Sequence, residues 1–244
     1  MLDTLSSRYR AVYRVLMQHE TIVFVVFLLF AGLLSVSLRQ EMSFDLRNYH
    51  FYNPWALLHG RLNVDLAPAQ LQTYLNPLID VPGYLLIRHL PPILVGFVWG
   101  VFQGMNLILV FKIAHYVLGK LPFSREQVFA LSILVAVLSF LDAGNMIDLG
   151  GFSGDNVDSI FVLLSIWYLL QALDSPVVSN KPDMLLCGLL VGMAVSLKLT
   201  AIIYLLSVGM CVIVFSGSIR AKWRNLVLFG TMSGLGIAIH QGCG

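Results

Sequence analysis

Long apolar stretches separated by short polar ones run through this chain. They cover residues 21–38, 93–118, 128–141, 157–173 and 226–240. Most approach the roughly 20 apolar residues that a helix needs to cross a bilayer, although 128–141 is short. The run 184–215 is too long for one crossing, and Lys198 and Thr200 break it near the middle. A split there gives two short helices joined by a tight turn. One long tilted helix is the other reading. The count is about seven spans, and the fold class is all-α, a polytopic transmembrane helical bundle read as one domain over residues 1–244.

The polar stretches carry their own signals. Residues 39–92 form a long first loop that reads as helical and interfacial. Ser43 suits the cap of a helix starting at Phe44. Pro54 after Asn53 marks a second helix start or a kink, because proline suits a first turn and damages an interior one. Gly60 then ends the helix. Phe51, Trp55 and Leu58 fall on one helical face, expected to lie on lipid. Pro77, Pro82, Pro91 and Pro92 break the apolar run 75–90 into a dipping, interrupted helix.

Charge orients these elements. Arg8, Arg10 and Arg14 precede the first span, and Lys120 and Arg125 follow the second. Lys181 lies between the fourth and fifth, and Arg220, Lys222 and Arg224 precede the last. Basic loops stay in the cytoplasm, so these alternate loops and the N-terminus are assigned there. The loop 142–158 has four aspartates and no Lys or Arg, which suits the outer side.

Composition agrees with a membrane location. Apolar residues make up 58% of the chain and charged residues 11%, with a mean hydropathy of +0.82. A water-soluble surface needs more charge than this. The net charge of +2 contains no basic run that would point to nucleic acid. Cys187, Cys211 and Cys243 lie in or beside apolar stretches with no CxxC pair, so they read as small hydrophobes. The first apolar run is too long for a signal-peptide core and lacks a cleavage site, so it reads as a retained helix. The chain ends abruptly at His240-Gln-Gly-Cys-Gly, which reads as short for its class.

The candidate chemistry gathers in the first outer loop. Asp45, Arg47, Asn48, Tyr49, His50, Tyr52, Asn53, Trp55, His59 and Arg61 crowd into seventeen residues. Asp45 follows the first span by seven residues, near the outer surface. A carboxylate there can take a proton from an acceptor hydroxyl or amine. A helix-dipole role in a first turn is the plainer reading for an isolated acid. Arginines steady a departing phosphate through paired donors, whereas Arg39 and Arg88 fit snorkelling to headgroups. His50 and His59 have no metal-ligand spacing.

Acids and a lysine elsewhere extend the cluster. Asp148, Asp155 and Asp158 can assist the base, bond sugar hydroxyls, or hold a divalent cation through oxygens. A flexible turn with Asp155 or Asn156 capping the fourth span is the alternative. Asp158 falls inside the apolar register, where a carboxylate is costly. Lys198, at the outer ends of two short helices, can meet a lipid phosphate or an aspartate.

These residues, in this order, resemble the GT-C class of polytopic glycosyltransferases. The likeness rests on Asp45 after the first span and on the stretch from Asp45-Leu-Arg-Asn-Tyr-His to Leu-Leu-His-Gly-Arg61. It also rests on Tyr74-Leu-Asn-Pro-Leu78, on Gly154-Asp-Asn156 and on the Gly188 to Lys198 helix end. The chain looks most like bacterial mannosyl- and arabinosyltransferase-type members. The resemblance implies a polyprenyl-phosphate sugar donor, a sugar, lipid or protein acceptor, and action at the outer face of the bacterial inner membrane. Asp45 would match the class's catalytic carboxylate and Lys198 its lysine near the donor phosphate. Asp155 and Asp158 would match its auxiliary acids. Arg47, Asn48, Tyr49, His50, Tyr52 and Arg61 would contact substrate. No cofactor is assigned, and a divalent cation stays an open alternative. A flippase for a lipid-linked sugar and a non-catalytic assembly subunit are the competing functions.

Overall fold

The structure, a computed structural model, describes residues 20–38, 43–62, 64–74, 76–152, 154–174, 181–216 and 218–241. Arg8, Arg10, Arg14, Arg39 and Cys243 lie outside them. So do the side chains of Lys181 and His240.

Among the described residues every regular element is helical. In chain order they are α1 (Glu20–Ser37), a π-helical turn (Leu46–His50), α2 (Phe51–Leu58) and 3-10 turns at Gln70–Tyr74 and Pro77–Ile79. There follow α3 (Val81–His89), α4 (Pro92–Gln103), α5 (Met105–Leu118), α6 (Arg125–Phe140) and α7 (Ala143–Asp148). The last are α8 (Asp155–Asp174), α9 (Lys181–Leu197), a 3-10 turn (Leu199–Ala201), α10 (Ile202–Phe215) and α11 (Ile219–Gln241).

Three helical stretches are long and apolar enough to cross a membrane: Glu20–Ser37, Pro92–Leu118 and Asp155–Asp174. Pro182–Leu197 and Leu199–Phe215 are apolar but shorter. Large apolar side chains such as Leu33, Leu206 and Met210 are more than 60% exposed, as a lipid-facing surface requires. The long run after residue 184 is two helices, and the break falls at Lys198, whose backbone is extended.

Contacts gather the chain into two units. The first holds residues 1–39 and 96–150. Its core is Val23, Phe27 and Ala31 of α1 with Leu107 and Phe111 of α5 and Phe129, Ala136 and Phe140 of α6. Phe111 is its centre, meeting Phe24, Phe27 and Phe129 edge to face at 5.7–6.1 Å. Ser124 and Gln127 form a reciprocal capping box that starts α6. Residues 143–148, expected as a turn, are helical (α7), with the Asp142 carboxylate accepting from Gly144 N at 3.1 Å.

The second unit holds residues 40–95 and 151–244. In it α9 packs against both α8 and α11. Leu169, Met184, Cys187, Val191, Val212 and Phe229 fill one core, and Val162, Ala194, Val195 and Ala201 fill a second. A Cβ added at Gly188 or Gly192 would strike the backbone carbonyls of Phe229 and Ser233, so these glycines set how closely α9 and α11 approach. The helix expected from Leu226 begins earlier, because Ser218 caps it through Ala221 N and Lys222 N. Arg220, Lys222 and Arg224 therefore sit in its first turns instead of a preceding loop.

The first outer loop is ordered by its own punctuation. Ser43 Oγ accepts from Leu46 N at 3.1 Å, starting a helix at Phe44. Pro54 lies inside α2 and supplies no N–H, and the wider π-helical turn directly precedes that helix. Gly60, at φ 63°, ends it: Arg61 N bonds Ala56 O and Gly60 N bonds Leu57 O, a Schellman stop. Phe51 turns onto Tyr84 of α3 at 5.0 Å, so of the three residues expected on lipid, Leu58 is the exposed one.

Candidate active site

The site lies within the second unit. A cavity of about 920 Å³ is lined by three polar chain segments that converge there, with Ile237 of α11 beside them. The first loop supplies Tyr49, His50, Tyr52, Arg61 and Asp65. The proline-broken stretch supplies Tyr74, Asn76 and Asp80, and the α9 end with its 3-10 turn supplies Ser196, Lys198 and Thr200.

Two side-chain amides fasten these segments. Asn53, buried in α2, donates to Gln72 O at 2.7 Å. Asn76 donates to Ser196 O at 3.1 Å, and its own Oδ1 accepts from Leu78 N. The second bond joins residues 120 apart and brings the turn before α3 to the end of α9. Each amide does so by meeting a backbone group that the irregular chain leaves unpaired.

Three basic side chains of the wall are each bonded to a carboxylate. Arg61 donates from Nε to Asp65 Oδ2 at 2.8 Å and from Nη2 to Oδ1, a two-pronged grip. Tyr52 donates its hydroxyl to the same Oδ2 at 2.5 Å. Those bonds, Arg61 first, hold the Asp65 carboxyl down at about 2. The Asp65 bond raises Arg61 in turn, and burial followed by the Asp65 bond raises Tyr52. Arg61 also lies 5.9 Å over the Trp55 ring, which stacks on His59.

The second pair is buried. His50 Nδ1 meets Asp80 Oδ1 at 2.8 Å, and both side chains are 6% exposed. Asp80 ends the Pro77–Ile79 turn and starts α3, so the backbone fixes it in place. The third pair is Lys198 with Asp155 at 2.5 Å, the ammonium 28% exposed.

The residues singled out in the sequence divide between wall and surroundings. Tyr49, His50, Tyr52, Arg61 and Lys198 line the cavity. Asp45 and Arg47 are exposed and Asn48 is half-buried, all three outside the lining. Asp155 is Lys198's partner, and the helix-starting carbonyl is that of Gly154, which accepts from Val157 N and Asp158 N. Asp158 is 6% exposed one turn further along α8, and its Oδ1 has no hydrogen-bond partner among the described residues. No three His, Cys, Asp or Glu side chains converge for a metal among the described residues. Asp148 belongs to the first unit, apart from the Asp155 and Asp158 of the second.

Sequence reasoning missed Asp65 and Asp80. Asp65 follows Arg61 by four residues, but outside a helix that spacing promises no contact. Asp80 comes thirty residues after His50, and a proline-flanked acid reads only as a turn residue.

The arrangement suits an anion at its cationic edge and a polyhydroxylated group against the tyrosines and Asn76. The sequence model of one family, described as dolichyl-phosphate-mannose-protein mannosyltransferase, matches residues 97–241. That stretch includes Asp155, Asp158 and Lys198 and begins after the first-loop cluster. No curated protein and no solved structure matches the chain. With more than half of its residues matched, the chain belongs to the dolichyl-phosphate-mannose-protein mannosyltransferase family, and it is a membrane glycosyltransferase of the GT-C kind.

Proposed function

We propose that the protein transfers a sugar, of the mannose class, from a polyprenyl-phosphate donor to an acceptor at the outer membrane face. The observation that carries this reading is the cavity, whose lining holds Lys198 and Arg61 together with three tyrosines and Asn76. The donor is a phosphodiester with one negative charge. When the anomeric C–O bond breaks, the electron pair moves onto the phosphate, which gains a second charge. Fixed cations stabilise that change more than they stabilise the bound donor. Lys198 and Arg61 supply them, each held in position by its acid. Tyr49, Tyr52 and Asn76 offer hydrogen bonds to sugar hydroxyls.

Asp45 is assigned the acceptor's proton. It stands exposed one turn before Tyr49, and this reading puts it on the water side from which an acceptor would arrive. The acceptor oxygen attacks the anomeric carbon opposite the phosphate, so the configuration inverts. The alternation of basic and acidic loops supports the outward placement.

Reconstitution tests the proposal. Purified protein in vesicles, given labelled polyprenyl-phosphate mannose and candidate acceptors, is expected to form labelled product. Movement of the lipid across the bilayer without transfer would make the protein a flippase. Neither transfer nor movement would make it an assembly subunit.

A further inference from the structure

We propose that His50, braced by Asp80, is a catalytic acid that gives a proton to the departing phosphate. This rests on the transfer reading above and adds a second proton-handling residue to it.

The geometry begins with tautomer. A carboxylate only accepts, so the 2.8 Å contact with Asp80 Oδ1 requires the proton on His50 Nδ1. His50 lines the cavity, and the nitrogen not engaged by Asp80 is Nε2. In the proposed step the ring enters as the imidazolium, beside the buried Asp80. Nε2 then carries a hydrogen to donate.

Position points to the phosphate end. The segment bearing Asp80 is fastened by Asn76 to Ser196, two residues before Lys198. The dyad therefore shares a wall with the cation assigned to the phosphate. Asp45, assigned the acceptor's proton, is outside that wall.

Chemical matching agrees. A phosphate monoester takes up its second proton near pH 6, in the range where imidazole side chains as a class serve as acids and bases. Proton transfer is most efficient between groups so matched. In the step, the acceptor oxygen bonds the anomeric carbon and its proton goes to Asp45. The C–O bond to phosphate breaks, the electron pair stays on the phosphate oxygen, and the Nε2 proton moves to the phosphate. Asp80 retains its bond to the Nδ1 proton throughout and acts as a positioning residue. Bulk water reprotonates His50 between turnovers.

Other titratable groups surround the dyad. Tyr49 and Tyr52 lie on its own helical run, and Arg61, Asp65, Tyr74 and Lys198 share the cavity wall. Tyr84, on the helix that Asp80 starts, is taken up against Phe51. Asp155 and Asp158 act on Lys198 from α8, so the loss of the falling pH limb in His50→Gln is what assigns it to the dyad.

The test is the pH profile of transfer by the full chain in vesicles. Wild-type kcat is expected to show a falling limb, about tenfold per pH unit, above the pH at which the acid has given up its proton. His50→Gln should slow transfer at least tenfold at low pH and abolish that limb, with the KM for polyprenyl-phosphate mannose nearly unchanged. Asp80→Asn should move the limb to lower pH. A wild-type profile without the decline would overturn the proposal whether or not the variants fold. So would a decline that persists in His50→Gln, or a rise with pH that His50→Gln removes. No transfer by the wild type at any pH would instead defeat the transfer reading itself.

Discussion

Lys198 Nζ and Asp155 Oδ1 lie 2.5 Å apart, joining the break after α9 to the first turn of α8. The ammonium is 28% exposed and the carboxylate 56%. An ion pair that open contributes at most about 1 kcal/mol to stability. Its value is in position: the carboxylate steadies a cation that a phosphate can also reach.

Lys198→Met should therefore separate binding from folding. Thermal unfolding in detergent should change by no more than the effect of a surface pair. The KM for the polyprenyl-phosphate donor should rise at least tenfold, and salt should affect it less than in the wild type. Asp155→Asn should have a weaker effect in the same assay.

Asp45→Asn keeps shape and removes the proton acceptor. Transfer should drop by about 10²–10³, within the usual range for a general base. Binding of polyprenyl phosphate, followed by quenching or calorimetry, should stay at wild-type strength.

The Asp65 network should be acid-sensitive. Arg61, then Tyr52, hold the folded carboxyl down at about 2, below its ordinary 3.8. A lowered folded value means that the contribution is complete above the unfolded value and is lost as pH falls towards the folded one. The Arg61 contact with Trp55 should accordingly hold at about pH 5 and loosen towards about pH 2. Trp55 fluorescence, in a variant with Trp99, Trp167 and Trp223 replaced by Phe, reads this directly. Asp65→Asn should remove that acid transition.

Gly192→Val should weaken the α9 and α11 pair. Its Cβ meets the Ser233 backbone, which cannot rotate aside as a side chain can. Overpacking of this kind costs about 1–3 kcal/mol, visible as an earlier thermal transition. Gly230→Ala is the control, since its Cβ meets nothing within 4 Å. It should be neutral or slightly stabilising, alanine being the better helix former.

Local features were legible in the sequence where one residue contradicted its surroundings. A lysine in an apolar run marked the helix break at Lys198, and Gly60 after an apolar helix face marked the Schellman stop. The pairing of Lys198 with an aspartate was among the readings. Asp65 and Asp80 were not legible, because each becomes informative only when another segment folds beside it. Asp80 is set at the junction of the Pro77–Ile79 turn and α3, and its sequence neighbours record nothing of the contact with His50. The helix at 143–148 was missed because glycine and asparagine there read as turn formers, while the Asp142 cap starts a short helix.

The most direct measurement is photocrosslinking with a polyprenyl-phosphate analogue that carries its reactive group beside the phosphate. Mass spectrometry of the labelled protein is expected to place the adducts in residues 196–200 and 76–80, with labelling suppressed by unlabelled polyprenyl phosphate and reduced in Lys198→Met. Adducts confined to residues 96–150, or labelling that unlabelled polyprenyl phosphate does not suppress, would contradict the assignment of the cavity as the donor site.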